Sequence, residues 1–211
     1  MRPMIVKLKK VQKALTTLFN QTKNLSKKYG KVYNVDSFIL ELKLPTCAGA
    51  KTLDLGCGSK PRNPFLADII YGVDIREDLA SNVKRVDLSL EGLPFDNDSF
   101  DYCTAFDCIE HIPRIINILG VNRLSFLELM NEIHRILKPG GLFLHRTPAF
   151  PSKEAFQDPT HVNIITEDTF PFYFCDPHLW AHDYGFKGKF ELVSQRWESA
   201  TWIICLIKAI K

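Results

Sequence analysis

Four short apolar runs each reach an aspartate at or beside their C-terminal end. KTLDL (51–55) carries Asp54, IIYGVD (69–74) closes on Asp74, VKRVD (83–87) on Asp87 and FDYCTAFD (100–107) on Asp107. A fifth run, GLFLHRT (141–147), follows a stretch in which Phe126, Leu129, Met130, Ile133, Ile136 and Leu137 recur at helical spacing, with KPGG (138–141) as its stop. Strand-like runs alternating with helices predict a parallel sheet with crossover connections. The last two runs, FELV (190–193) and WIICLI (202–207), leave no room for a helical crossover and are expected to pair antiparallel at one end of that sheet. The pattern predicts an α/β, doubly wound, mostly parallel seven-stranded sheet with an antiparallel C-terminal strand pair.

A chain of 211 residues with 45% hydrophobic content supplies a full core, which excludes disorder and collagen-like repeats. The net charge of +3 is unevenly spread. Residues 1–31 hold Arg2, Lys7, Lys9, Lys10, Lys13, Lys23, Lys27, Lys28 and Lys31 and no acid, so the remainder is net acidic. Leu8, Val11, Leu15, Leu18 and Phe19 give that basic arm, taken as residues 1–34, an amphipathic helical face that would pack on a body of residues 35–211 as a flap. The six cysteines form no CxxC pair, and four of them (Cys103, Cys108, Cys175, Cys205) lie in apolar runs, as expected of reduced thiols in a soluble cytoplasmic protein. The run Trp202 to Ile207 is far too short to span a bilayer, which takes roughly 20 residues.

The loop DLGCGS (54–59) follows the first strand, and Gly56 and Gly58 permit a tight turn whose N–H groups could face a ligand. Asp74 closes the second strand, where a carboxylate can accept ribose hydroxyls. The third glycine of a dinucleotide fingerprint would fall at Pro61, which has no N–H for a pyrophosphate; this argues against NAD. Pro61 and Pro64 also leave little space for a helix between the first two strands.

LDLGCG (53–58), GVD (72–74), the stretch from DLS to LPF (87–95), SFDY (99–102), EHI (110–112) and LKPGG (137–141) stand in the order and approximate spacing of a known family. Over residues 35–211 the chain resembles the class I S-adenosylmethionine-dependent methyltransferases. The resemblance implies the Rossmann-like methyltransferase fold and S-adenosyl-L-methionine as cofactor. It places Asp54, Gly56, Cys57 and Gly58 around the methionine part, Asp74 on the ribose with Ile75 beside the adenine, Asp87 and Leu88 at the adenine amino group, and Phe106 and Asp107 against the methionine end. The acidic edge agrees with it: the cofactor is a sulfonium bearing an ammonium, which carboxylates compensate.

Methyl transfer needs alignment, and a base only where the acceptor holds its proton. Two histidines are candidates: His161 in DPTH (158–161), preferred as base, and His111 in EHIP (110–113), equally suited to shaping the cofactor site. Cys175, His178 and His182, with His161 or Asp158, could be read as zinc ligands, but they lack a second tight ligand pair and no metal is expected. His134 and Arg135, near a helix end, suit its dipole. Residues 148–188 form a long aromatic insertion that either shapes an acceptor pocket or packs as a satellite cluster. Strand four is followed by DCIE (107–110) rather than the AsnProProTyr-type tetrapeptide of amino-group methyltransferases, which favours an oxygen acceptor such as a sugar or other small-molecule hydroxyl. N- or C-methylation of a small metabolite, or a non-catalytic cofactor-binding scaffold, stand as alternatives. The basic arm suits a solvated flap first, an anionic membrane second, and nucleic acid least, since no RNA-binding motif accompanies it.

Overall fold

The computed structural model describes residues 30–45, 47–76 and 82–211. The helix expected from Leu8 lies outside them. Along the chain come β1 (Lys31–Val32), α1 (Val35–Leu42), β2 (Lys51–Leu55), β3 (Ile69–Asp74), β4 (Val83–Arg85) and β5 (Phe100–Phe106). These are followed by the hairpin β6 (Ile116–Ile118) and β7 (Val121–Arg123), then α2 (Ser125–Ile136), β8 (Leu137–Pro148), α3 (Glu154–Gln157), α4 (Thr169–Tyr173), β9 (Phe190–Glu198) and β10 (Trp202–Ala209).

One sheet in the order β1-β9-β10-β8-β5-β2-β3-β4 carries the fold. β4, β3, β2, β5 and β8 run parallel, and β10 is antiparallel to both β8 and β9. The sheet therefore has eight strands rather than seven. Lys31 and Val32 pair in parallel with Trp197 and Glu198 and add an edge ahead of residue 35, because β9 runs on to Glu198 and offers them a partner.

Alternation along the strands builds a core on each face. On β10, Ile203, Cys205, Ile207 and Ala209 enter one core, while Ile204 and Leu206 enter the other. The first core takes the apolar stripe of α2, where Phe126, Leu129, Met130, Ile133 and Ile136 are buried at the spacing of one helix face. The helix stops at Ile136, and the expected LysProGlyGly break lies at the start of β8. The second core is covered by Phe38 of α1, whose first turn is capped by Asn34 accepting from the Ser37 N–H at 2.9 Å. Burial of Phe38 contributes about 2–3 kcal/mol.

No helix joins β2 to β3. Instead Phe65 stacks on Tyr102 with centroids 4.3 Å apart, and the Asn63 side chain accepts from Ala67 N–H and donates to Ala67 O at 2.9 and 2.8 Å. Two prolines bar a regular hydrogen-bond ladder there, so side chains must satisfy the backbone. Among the described residues no helix is long and apolar enough to cross a membrane.

Candidate active site

The chain moves outward from β2 through β3 to β4, then returns to the other side of β2 with β5. The sheet's order reverses between β2 and β5, and the crevice beyond the C-terminal ends of these strands is where an open α/β sheet binds its ligand. The glycine loop after β2, Asp74 after β3, Asp87 after β4 and Asp107 after β5 all converge there.

Gly56 and Gly58 both take φ +63°, in the left-handed region. A Cβ at Gly56 would stand 2.5 Å from Cys108 Sγ, so only glycine fits against the β5 loop. The loop's N–H groups do not face a ligand as expected from sequence. Gly56 and Cys57 both donate to Val73 O, at 2.8 and 3.2 Å, and Gly58 donates to Asp74 Oδ2 at 2.8 Å. The loop is thus clamped onto β3, with the N–H groups of Gly56, Cys57 and Gly58 taken up within the protein.

Asp54 lies beneath that loop and lines neither of the cavities that flank it. It accepts from Arg62 N–H at 2.8 Å and from Thr104 Oγ1 at 2.6 Å. Burial pushes its pKa up to about 6 despite these bonds. The role left to it is holding the irregular 59–63 connector, which the missing helix leaves with an N–H to satisfy. Asp74 accepts from the Gly58 N–H and, through Oδ1, from Arg76 N–H and Arg76 Nε, both at 3.1 Å. Burial opposes its ionised form, but these donors hold its pKa below the ordinary carboxylate value.

Gly56, Asp74, Ile75, Asp87, Leu88 and Asp107 line one cavity of about 350 Å³, together with His111. Cys57 and Phe106 line an adjoining cavity of about 810 Å³, with Lys60, Arg62 and Arg146. Eight of the ten candidate cofactor residues therefore line one cavity or the other, and Asp54 and Gly58 line neither. The first cavity is lined by carboxylates and the second by Lys60, Arg62 and Arg146 together with Asp36 and Glu198, so the second offers groups for both the ammonium and the carboxylate of an amino acid. The Arg62 guanidinium lies over the Phe106 ring, 4.7 Å from its centroid.

Asp107 takes φ +48°, unusual for a non-glycine residue, and its carboxylate is gripped by Arg146 Nη1 at 2.6 and 2.7 Å. Arg146 also donates from Nε to Glu198 at 2.7 Å and covers the Trp202 ring at 4.2 Å. Sequence reading missed Arg146, although its place at the end of β8 was a usable signal.

The two candidate bases meet. His111 and His161 rings stand 4.8 Å apart, edge to face. His111 Nδ1 lies 3.2 Å from Thr160 O and 3.0 Å from Thr160 Oγ1, and Thr160 Oγ1 itself donates to Asp158 at 2.6 Å. His161 Nε2 is 4.0 Å from Asp158, and its Nδ1 is buried with no protein partner. Beside them Glu110, also missed from sequence, is 2% exposed, and burial pushes its pKa up to about 7.

The aromatic insertion is divided. Phe170, Phe174 and Phe186 join the first core, whereas Tyr173 and Tyr184 line an apolar pocket of about 500 Å³ with Phe126 and Leu127. The zinc reading of Cys175, His178 and His182 has no counterpart: Cys175 is buried, His178 packs on Phe172 and Trp180, and His182 Nε2 donates to Gly188 O at 2.7 Å. His134 and Arg135 stand in the last turn of α2, as expected, and also act as tertiary anchors. His134 Nε2 donates to Ile210 O at 3.1 Å, and Arg135 donates to Phe95 O and Leu93 O at 2.7 and 2.9 Å.

This crevice, with its glycine loop and ring of strand-end carboxylates, defines a Rossmann-like nucleoside-binding domain. A family profile described as a methyltransferase domain matches residues 18–187. The chain belongs to that family, the class I S-adenosylmethionine-dependent methyltransferases, enzymes whose cofactor is S-adenosyl-L-methionine. It is similar to a demethylmenaquinone methyltransferase of Staphylococcus epidermidis, 27% identical over 158 residues that cover 64% of this chain and 61% of the relative. A probable S-adenosylmethionine-dependent methyltransferase of Mycolicibacterium smegmatis is 31% identical over 112 residues, 48% of this chain and 39% of the relative. The chain thus spans about three fifths or less of these relatives' length. A solved S-adenosylmethionine-dependent methyltransferase of Mesorhizobium loti shares the fold, with TM-score 0.53 and 16% identity over 83% of this chain and 98% of that one.

Proposed function

We propose that this chain transfers a methyl group from S-adenosyl-L-methionine to a hydroxyl of a small-molecule acceptor, a sugar or a comparable metabolite. The observation that carries this reading is the position of His111: it lines the same cavity as Asp74, Asp87 and Asp107 and packs edge to face on His161. His111 thereby borders the proposed methyl-donor seat with His161 packed against it, where an acceptor hydroxyl must lose its proton. S-adenosyl-L-methionine supplies the methyl carbon, which leaves sulfur for oxygen as the C–S electron pair returns to the sulfonium.

Asp74 and Asp87 are the residues proposed to hold the ribose and adenine, Ile75 and Leu88 to flank the ring, and Asp107 and Phe106 to bound the methionine end. His161 is the proposed proton-handling residue of the acceptor side, since its Nδ1 has no protein partner.

A second reading follows from the relatives named demethylmenaquinone methyltransferases and from the apolar pocket lined by Phe126, Tyr173 and Phe174, which suits a quinone-type acceptor. The test is a screen of hydroxylated metabolites and sugars against quinones with methyl-labelled cofactor, in the parent and in His161→Ala. Transfer to a hydroxyl, lowered about 100-fold in the variant with cofactor affinity retained, supports the first reading. Transfer to a quinone carbon that ignores His161 favours the second.

A further inference from the structure

We infer that Glu110, His111 and His161 form a site for a divalent first-row transition cation, zinc ahead of manganese, at the wall of the proposed methyl-donor cavity. Each residue offers one ligand atom, and the three atoms lie within 4.8 Å of one another. Ligands held by bonds of about 2.0–2.2 Å stand some 3–4 Å apart, so a small contraction of three side chains closes the site. Among the described residues this is the one gathering of three such groups.

Two of the three residues each present a buried atom with no hydrogen-bond partner. Glu110 is 2% exposed, and its Oε2 accepts from Thr147 Oγ1 at 2.9 Å, while Oε1 has no hydrogen-bond partner. A buried carboxylate oxygen left unpaired costs on the order of 1–3 kcal/mol, a penalty that a cation removes. His161 Nδ1 is buried and equally unpartnered.

The third ring is oriented from behind. Thr160 Oγ1 gives its proton to Asp158, so both Thr160 oxygens near His111 Nδ1 are acceptors. They place the ring proton on Nδ1 and leave the Nε2 lone pair for a metal, the arrangement that metal-ligating histidines adopt. The backbone reinforces it, since Val162 and Asn163 N–H both donate to Glu110 O, at 3.0 and 2.9 Å, locking the His161 loop to the residue that offers the carboxylate.

Two imidazole nitrogens and one carboxylate select a first-row transition cation over magnesium or calcium, which take oxygen ligands. Three protein ligands leave coordination positions open, and His111 faces the cavity. On the reading of the previous subsection, on which this role rests, an acceptor hydroxyl bound at one of those positions would lose its proton to water more readily, and His161 would serve the deprotonation as a ligand of the cation rather than as the base itself. The site itself stands on geometry alone.

The experiment is calorimetric titration of the full chain with ZnCl2 and, separately, MnCl2, followed by the same titrations of Glu110→Gln and His161→Gln. S-adenosylhomocysteine affinity, expected within threefold of the parent, reports that each variant keeps its fold. One equivalent of cation bound per chain, with affinity lowered more than tenfold by either substitution, is the expected result. No saturable binding, or binding indifferent to both variants, overturns the site. Should Glu110→Gln fail to fold, His161→Gln decides alone. Acceptor methylation that survives chelation in a chain binding no metal overturns this inference and leaves the proposed function standing; stoichiometric metal with no methylation of any acceptor does the reverse.

Discussion

Arg76 donates twice to one oxygen of Asp74, from its backbone N–H and from Nε, both at 3.1 Å. The other oxygen takes the Gly58 N–H and keeps a lone pair for a ribose hydroxyl. The Arg76 side chain is 77% exposed, so the pair is worth little and can open. Asp74→Ala is expected to weaken S-adenosylhomocysteine binding more than tenfold, whereas Arg76→Ala changes it by less than about fivefold. Calorimetry on both variants checks this. Equal losses would show that Arg76, not the carboxylate, meets the ligand.

Asp54 binds its proton more tightly in the folded chain than in the unfolded one, because burial raises its pKa from 3.8 to about 6. Its contribution to stability is therefore largest below pH 4, and declines by on the order of 3 kcal/mol as pH rises to 6. Asp54→Asn keeps an acceptor for Arg62 N–H and a donor for Thr104, and removes the titration. Urea unfolding at pH 4 and pH 7 is expected to show the parent gaining on the variant at the lower pH. A constant difference would mean that Asp54 stays ionised.

The strands were legible because each carries a short apolar run bounded by turn residues, largely buried in β2 and β5 although partly exposed in β3 and β4, and the face of α2 was legible because its stripe is continuous. β1 was not: two residues carry no periodicity, and their pairing depends on how far β9 extends. Asp74, Asp87 and Asp107 were legible as strand-end acids, since their position in the sheet follows from position in the run. Their partners were not. Arg146 reaches Asp107 across neighbouring strands, and Glu110 meets His161 only because Val162 and Asn163 return to bond its carbonyl. The fate of the loop N–H groups was hidden for a related reason. Without a helix after β2 the loop folds onto Val73 and Asp74, and the missing helix could be read from Pro61 and Pro64 while its consequence for hydrogen bonding could not.

His145 sits in β8 at zero exposure, its ring 3.9 Å from the Phe170 centroid, with neither nitrogen partnered. Burial lowers its pKa from 6.5 to about 3. The folded state thus excludes the proton, and the stability this confers is intact above pH 6.5 and lost progressively as pH falls toward 3, by several kcal/mol in all. His145→Leu removes two unpartnered nitrogens and this dependence. Thermal melts between pH 7 and pH 4 are expected to show a shallower fall in Tm for the variant, and parallel slopes would place the acid sensitivity elsewhere.

Arg146 joins the Asp107 turn to Glu198 on β9, and Arg146 and Glu198 are each about one-sixth exposed or less at the side chain. Two carboxylates share one guanidinium, so its removal leaves both unpaired in a partly buried setting and frees the strained φ of Asp107 to relax. Arg146→Ala is expected to lower stability by about 3 kcal/mol and S-adenosylhomocysteine affinity by tenfold or more, because the cavity loses the fixed position of Asp107. Glu198→Gln keeps a hydrogen-bond acceptor for Nε and leaves Arg146 to Asp107 alone, so its effect on affinity should stay under threefold. Chemical denaturation and calorimetry on the two variants separate stability from binding. If Arg146→Ala lowers stability without touching affinity, Asp107 bounds the cavity without contacting the ligand, and the methionine end of the cofactor must be held from the Lys60 and Arg62 side.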